Sequence, residues 1–375
     1  MGGHREIAIG DDAENAILDV EHRDGAAVVL PHDLCSGGQA IARSAGVHIA
    51  RHDVLDFHGA DSLISELPLE TPPGPLRGSE PTIVGTQQKP LRRAGTFGAI
   101  LLGLDFHAYA EQPDDELDLL EGALLIAKDA YPGLDPAEIE AQLDALAEPL
   151  IQASVASMPA PVQARTLAEH LFVRAGFRGN RDDYYDPKNS FLNEVVARRI
   201  GIPISLSLVY VEVARRSGVA ASPVGFPGHF LARVDDPDRR VVVDPFHGGE
   251  ALDEVALAEL LRRAGSKLRY SSDMIAATPV RHVVARILMN LRGIYSSRGE
   301  YPQLLVVLDR LIDILPDASE ELRDRGLLLG RLGAPEAAVR DLDAYVERQP
   351  HADDVPDVRR WIERFRGSSQ KSGQN

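Results

Sequence analysis

The sequence predicts an α+β fold, mainly helical, in which a small antiparallel sheet is followed by paired helices. Three observations lead there. Apolar residues recur at helical spacing over long stretches, as at Leu143, Leu146 and Leu150. Two β-forming runs, HFLARV at 229–234 and RRVVVD at 239–244, flank an Asp-Asp-Pro-Asp turn. Four residue pairs recur at one spacing near the C-terminus: Gly299 and Gly333, Leu308 and Leu342, Asp309 and Asp343, Pro316 and Pro350.

Taken in order, residues 1–66 read as a small α/β or β-rich region. AAVVL at 26–30 is a strand candidate, 39–45 a helical turn, and 47–57 an extended piece. Residues 67–111 read as a Pro/Gly-rich linker, with LPLETPPGPLRG as its clearest part. The span 112–275 reads as a helical segment leading into a domain that holds the hairpin. Its first helix, in 114–133, has acids in the first turn and Pro-Gly at the end. A second, in 135–153, has Pro136 at its start. Further helices are expected at 166–175 and at 189–200, the latter capped by Asn189 or Ser190. The run from Ser205 to Ala214, closed by Arg215, Arg216 and Gly218, has the punctuation of a helix.

Residues 276–366 carry the repeat. A period of 34 residues, with Gly after the first helix and Pro after the second, is the tetratricopeptide signature. A capping helix is expected at 358–365 and a disordered tail over 367–375 (GSSQKSGQN). Two repeats cannot bury their faces alone, so they are expected to pack on the preceding domain.

The hairpin carries the candidate chemistry. Pairing Val234 with Arg239 puts His229 directly opposite Asp244, with Cβ atoms about 5 Å apart on one sheet face. A carboxylate there can hold an imidazole in one tautomer and stabilise its cation, as in a nucleophile–His–Asp triad. The helix-start hydroxyls are Ser205 and, less favourably placed, Ser207. Hydroxyls gain little from a helix N-terminus and need a base in contact. The single cysteine, Cys35, lies far away in sequence.

These residues resemble the transglutaminase-like (papain-like) superfamily, and more closely the SirB-type bacterial proteins, a transglutaminase-like domain followed by tetratricopeptide repeats. The same module occurs in a eukaryotic F-box protein. The resemblance rests on GFRGN at 176–180, YYDP at 184–187, NSF at 189–191, GIPIS at 201–205, PGHF at 227–230 and DPF at 244–246, and covers about 112–362. It implies that His229 and Asp244 occupy the triad His and Asp positions. The triad Cys position, counted back from Gly218, falls near Pro203, so the nearest hydroxyl is Ser205. Without the cysteine, transglutaminase or protease activity is not implied.

Two readings stand for each feature. His229 and Asp244 form either a structural pair or a functional one, and Ser205 and Ser207 either caps or nucleophiles. Arg178, Asn180, Tyr184, Tyr185 and Asn189 form either a tightly hydrogen-bonded loop or the lining of a peptide groove. No cofactor and no metal are expected. Asp182, Asp183 and Asp186 lack the loop Gly and distal Glu of an EF-hand, and His52, His58, His107 and His247 show no metal-ligand spacing.

Composition narrows the partners. A net charge of −17 and a pI of about 5.1 argue against nucleic acid and anionic membranes. No apolar run is long enough to span a bilayer, and the N-terminus lacks a signal-peptide apolar region. One cysteine fits a reducing cytoplasm. The leading expectation is a cytoplasmic, non-catalytic interaction or regulatory module with a protein or peptide partner. The alternative is a hydrolase or acyltransferase using Ser205, His229 and Asp244. A third is that the N-terminal region holds the activity. Oligomeric state is left open.

Overall fold

The computed structural model describes residues 105–372 except 238 and 267, together with an antiparallel pairing of β1 (Ile17–Leu18) and β2 (Ile49–Ala50). The strand expected at 26–30, the helical turn at 39–45, Cys35 and most of the linker lie outside the described residues.

A helix, α1 (Phe106–Ala110), occupies the end of the stretch read as linker. The Asp105 carboxylate caps it by accepting from the Ala108 N–H at 2.9 Å. Phe106 and Tyr109, three residues apart, share one face and are buried. Residues 106–110, inside the stretch read as linker, are therefore helical.

Aspartates also start the next two helices. Asp118 caps α2 (Leu119–Ala130), and Asp135 caps α3 (Pro136–Gln152), which has Pro at its first position. α4 (Ala160–Ala168) begins earlier than expected, behind Pro159, and continues as a π-helical turn over Glu169–Arg174. α5 (Leu192–Arg198) follows Phe191 without a side-chain cap, because the Asn189 side chain is bonded within its own loop. A short parallel pair not read from sequence, β3 (Arg178–Gly179) with β4 (Ile200–Gly201), ties that loop to α6 (Pro203–Arg216). Every residue of α6 from Pro203 to Ala214 is buried, which makes it the central helix.

Four strands form an antiparallel sheet in the order β5 (Ala221–Phe226), β6 (His229–Asp235), β7 (Arg240–Asp244) and β8 (Glu250–Leu252). The hairpin is where the sequence put it, but its register differs by two residues. Asp235 pairs with Arg240 and Ala232 with Val243. The turn is tighter than four residues, since the Asp236 N–H donates to the Arg239 carbonyl at 2.9 Å and the Asp236 carboxylate accepts from the Arg239 N–H at 2.7 Å. An even shift keeps every side chain on its face. His229 and Asp244 become diagonal neighbours instead of direct ones.

Alternation along β6 divides its side chains. Phe230, Ala232 and Val234 belong to the main core with α6, whereas Leu231 joins Val224, Phe226 and Val242 under Leu257 and Leu261 of α7 (Glu254–Arg263).

The repeats are α8 (Val280–Arg298) with α9 (Tyr301–Ile314), and α10 (Ser319–Arg331) with α11 (Pro335–Arg348). Gly299 and Gly333 both take positive φ at the turns between paired helices. The equivalent Leu308 and Leu342 are both fully buried, each contributing about 2 kcal/mol. The repeats share one core with the preceding domain, as expected. The Arg281 guanidinium donates to the carbonyls of Ala110, Gln112 and Ile314, and Arg310 pairs with Asp129 of α2. The acidic excess is not all solvated surface: buried Glu321 and Asp324 pair with Arg292, and Asp324 also with Arg323. The capping helix, α12 (Val355–Ser372), is longer than expected and enters the stretch read as tail. Val358, Ile362 and Phe365 anchor its first half, and helix propagates more easily than it nucleates. Among the described residues no helix is long and apolar enough to cross a membrane.

Candidate functional site

Three places were singled out by sequence: the start of α6, the end of the β6–β7 hairpin, and the loop at 178–189.

At the start of α6, Ser205 is sealed, with 3% of its surface exposed. Its hydroxyl donates to the Asn189 carbonyl at 2.6 Å, with the Ile202 carbonyl also at 3.2 Å, and accepts from the Ile202 N–H at 3.0 Å. That N–H is one of the donors a helix N-terminus leaves without an intrahelical partner. The hydroxyl thus tethers the loop to the helix. Gly201 leaves room for it, because a Cβ there would lie 2.7 Å from the Ser205 Oγ. Ser207 is fully buried, and its hydroxyl approaches the Phe230 carbonyl at 3.4 Å. Neither hydroxyl hydrogen-bonds His229. Both hydroxyls face backbone carbonyls instead.

At the end of the hairpin, His229 Nε2 lies 2.9 Å from Asp244 Oδ2. The diagonal placement is spanned by the length of the imidazole. A third residue joins them. His247 Nδ1 lies 2.7 Å from the same Oδ2. The other carboxylate oxygen, Oδ1, accepts from the N–H groups of Phe246 and His247 at 3.0 and 3.2 Å, which caps a 3-10 turn over Pro245–His247. Gly248 and Gly249 then turn the chain with positive φ. At Gly249 a side chain is also excluded by space, since its Cβ would sit 2.6 Å from that of Ala168.

The three side chains differ in access. Asp244 is 3% exposed, His229 13% and His247 42%. Burial alone would raise the Asp244 carboxyl. Hydrogen bonds and positive charge from His229, then His247, outweigh burial and hold it below its ordinary value. Phe246 packs edge-on against His229, His247 and Tyr184, with the Arg181 guanidinium 5.9 Å from its ring centre. Gly179 allows this approach, because a Cβ there would fall 2.6 Å from the Phe246 ring.

The loop is internally bonded. The fully buried Asn189 side chain donates to the carbonyls of Asp183 and Tyr184, and its Oδ1 accepts from Asn180 and Arg198. Asn180 in turn accepts from the Asp183 N–H. Asp186 pairs with Arg198. Tyr184 is half-buried against Phe246, and burial pushes its phenol up to about 12. Tyr185 is exposed, its carbonyl accepting from Arg298 of α8. Arg178 is exposed and bonds through its backbone to Arg199. Asn180 and Asn189 hold the loop together, while Arg178 and Tyr185 face solvent.

His247 was read from sequence only as one of four histidines without metal-ligand spacing, and its contact with Asp244 was missed. The available signal was its position three residues after Asp244 and just before Gly-Gly, which is turn spacing. Phe246 belonged to a quoted motif, but its contact with both imidazoles was not legible.

Known proteins resemble the chain in two stretches. Residues 137–289 match the transglutaminase-like superfamily, and residues 291–363 match the tetratricopeptide repeat. A UPF0162 protein of Xylella fastidiosa (strain 9a5c) is 37% identical over 258 residues, 68% of this chain and 92% of the relative. A UPF0162 protein of Vibrio cholerae is 24% identical over 238 residues, 63% of this chain and 88% of that protein. Human F-box only protein 21 is 29% identical over 259 residues, which is 60% of this chain and 40% of that protein. No solved structure gives a significant match.

Proposed function

Because the chain belongs to the UPF0162 family, with a transglutaminase-like domain joined to tetratricopeptide repeats, we propose that it is a non-catalytic, SirB-type interaction module that binds a polypeptide in the cytoplasm. The observation that carries this is the Ser205 hydroxyl. It lies nearest the triad cysteine position, yet it is buried and bonded to backbone groups on both sides. A nucleophile needs a base in contact and access to substrate. The tetratricopeptide helices supply the binding surface, since helix-pair arrays present concave faces to peptides. The exposed Tyr185 borders α8, through the Arg298 contact. With its net negative charge, the module takes a protein or peptide partner and not nucleic acid or a membrane.

The test is affinity capture from native lysate with the wild type and with Val306→Glu and Leu332→Glu, two exposed apolar positions on the repeats. A specific polypeptide that is lost in the repeat variants and kept in Ser205→Ala supports the proposal. Capture of no polypeptide by any variant counts against it. The serine hydrolase reading is the less supported one, because its nucleophile is already engaged.

A further inference from the structure

A relay needs one imidazole on its carboxylate; this hairpin puts two on the same oxygen. We propose that His229 Nε2, Asp244 Oδ2 and His247 Nδ1 are the ligands of a divalent first-row transition metal, with zinc the ion to test. The inference does not depend on whether the repeats bind a polypeptide.

The donor set suits such an ion. Two imidazoles and a carboxylate are borderline ligands that favour zinc, iron and nickel over calcium or magnesium. The spacing suits it as well. The two imidazole nitrogens lie 2.9 and 2.7 Å from Asp244 Oδ2, and all three donor atoms fall within 4.8 Å of one another. Metal–ligand bonds of about 2.0–2.2 Å put neighbouring donors about 2.9 Å apart at a right angle and about 3.4 Å apart in a tetrahedron. An ion bound here would displace the protons that now bridge each imidazole to the carboxylate. Both imidazole–carboxylate separations are already close to those of a right-angled geometry, and a tetrahedral one needs each to lengthen by about 0.5–0.7 Å.

The surroundings fix the donors independently of any ion. His229 opens β6, Asp244 closes β7, and His247 sits in the turn that Asp244 itself caps. Two backbone N–H groups hold the carboxylate by its other oxygen, the outer support that metal-binding carboxylates require. Phe246 covers both imidazoles by its ring, with centroids 6.3 and 5.2 Å away. Buried Asp244 and more exposed His247 give the set a closed side and an entry side. Three protein ligands leave a position for water or for a donor from a partner.

The experiment uses the untagged full chain, stripped with chelator and titrated with zinc alone by calorimetry. Cobalt absorption serves as a second readout of ligand geometry. The expected result is one saturable ion per chain at micromolar affinity, weakened by more than about 10-fold in His247→Ala and in His229→Gln. His107→Ala, which alters the exposed cluster with Glu111 and Asp313, should bind as the wild type does. His247 is exposed enough that its replacement leaves the fold intact, so it decides the question even if the His229 variant fails to fold. No saturable binding by the wild type overturns the proposal. So does unchanged affinity in His247→Ala, which would mean an adventitious ion only.

Discussion

At the start of α6 a side chain is bonded to backbone, and at the end of the β6–β7 hairpin three side chains are bonded to one another. Ser205 completes a helix terminus and is closed to solvent. His229, Asp244 and His247 complete each other, and neither the second nitrogen of His229 nor that of His247 has a hydrogen-bond partner among the described residues. The difference separates a hydroxyl engaged by backbone from imidazoles that each keep one nitrogen unbonded among the described residues. Both regions carry motifs of the same superfamily, so motif presence alone does not tell them apart. The partner of each polar atom does.

The largest effect is expected in the loop behind Ser205. Asn189→Ala removes the hub of Asn180, Arg198 and two carbonyls, and should destabilise the protein by about 4 kcal/mol in urea unfolding. A loss below about 1 kcal/mol would mean that the loop is not structural, and would reopen it as a groove lining.

Glu212, on α6 itself, makes the same point through pH. Burial, with help from Asp118 and against Arg215 and Arg216, pushes its carboxyl up to about 7 from an ordinary 4.5. Below pH 4.5 both folded and unfolded states are protonated, and the group costs nothing. From 4.5 to 7 the unfolded chain loses the proton first, so stability falls as pH rises and levels off above 7. Glu212→Gln should flatten this slope and gain about 3 kcal/mol at pH 8. An unchanged pH profile would show that the carboxyl is solvated.

Ser205→Ala should cost about 2 kcal/mol, since it strands the Ile202 N–H and the Asn189 carbonyl. His247→Ala should cost less than about 0.5 kcal/mol in metal-free protein, because its ring is exposed. If the two costs were reversed, the contrast between a sealed and an open region would fail.

Much of this was legible in the sequence because it depends on local chemistry. Pro136 marks a helix start, and Gly299 and Gly333 mark turns 34 residues apart, whereas the helix read from Asp114 begins only at Leu119. The shared face of His229 and Asp244 survived a register error, because a shift of two preserves alternation. What was not legible depends on contacts distant in sequence. The Ser205 proton goes to a carbonyl sixteen residues earlier, and no local pattern announces that. α1 was hidden by its shortness, although Asp105 and the Phe106–Tyr109 spacing were present. β3 and β4 are too short to show alternation.

The most direct test of the central claim is labelling of the folded protein with a serine-reactive fluorophosphonate, comparing wild type, Ser205→Ala and His229→Ala. A Ser205 hydroxyl held between the Asn189 carbonyl and the Ile202 N–H predicts no labelling of any of the three. Labelling of the wild type that disappears in both variants would contradict this, and would make the chain an enzyme.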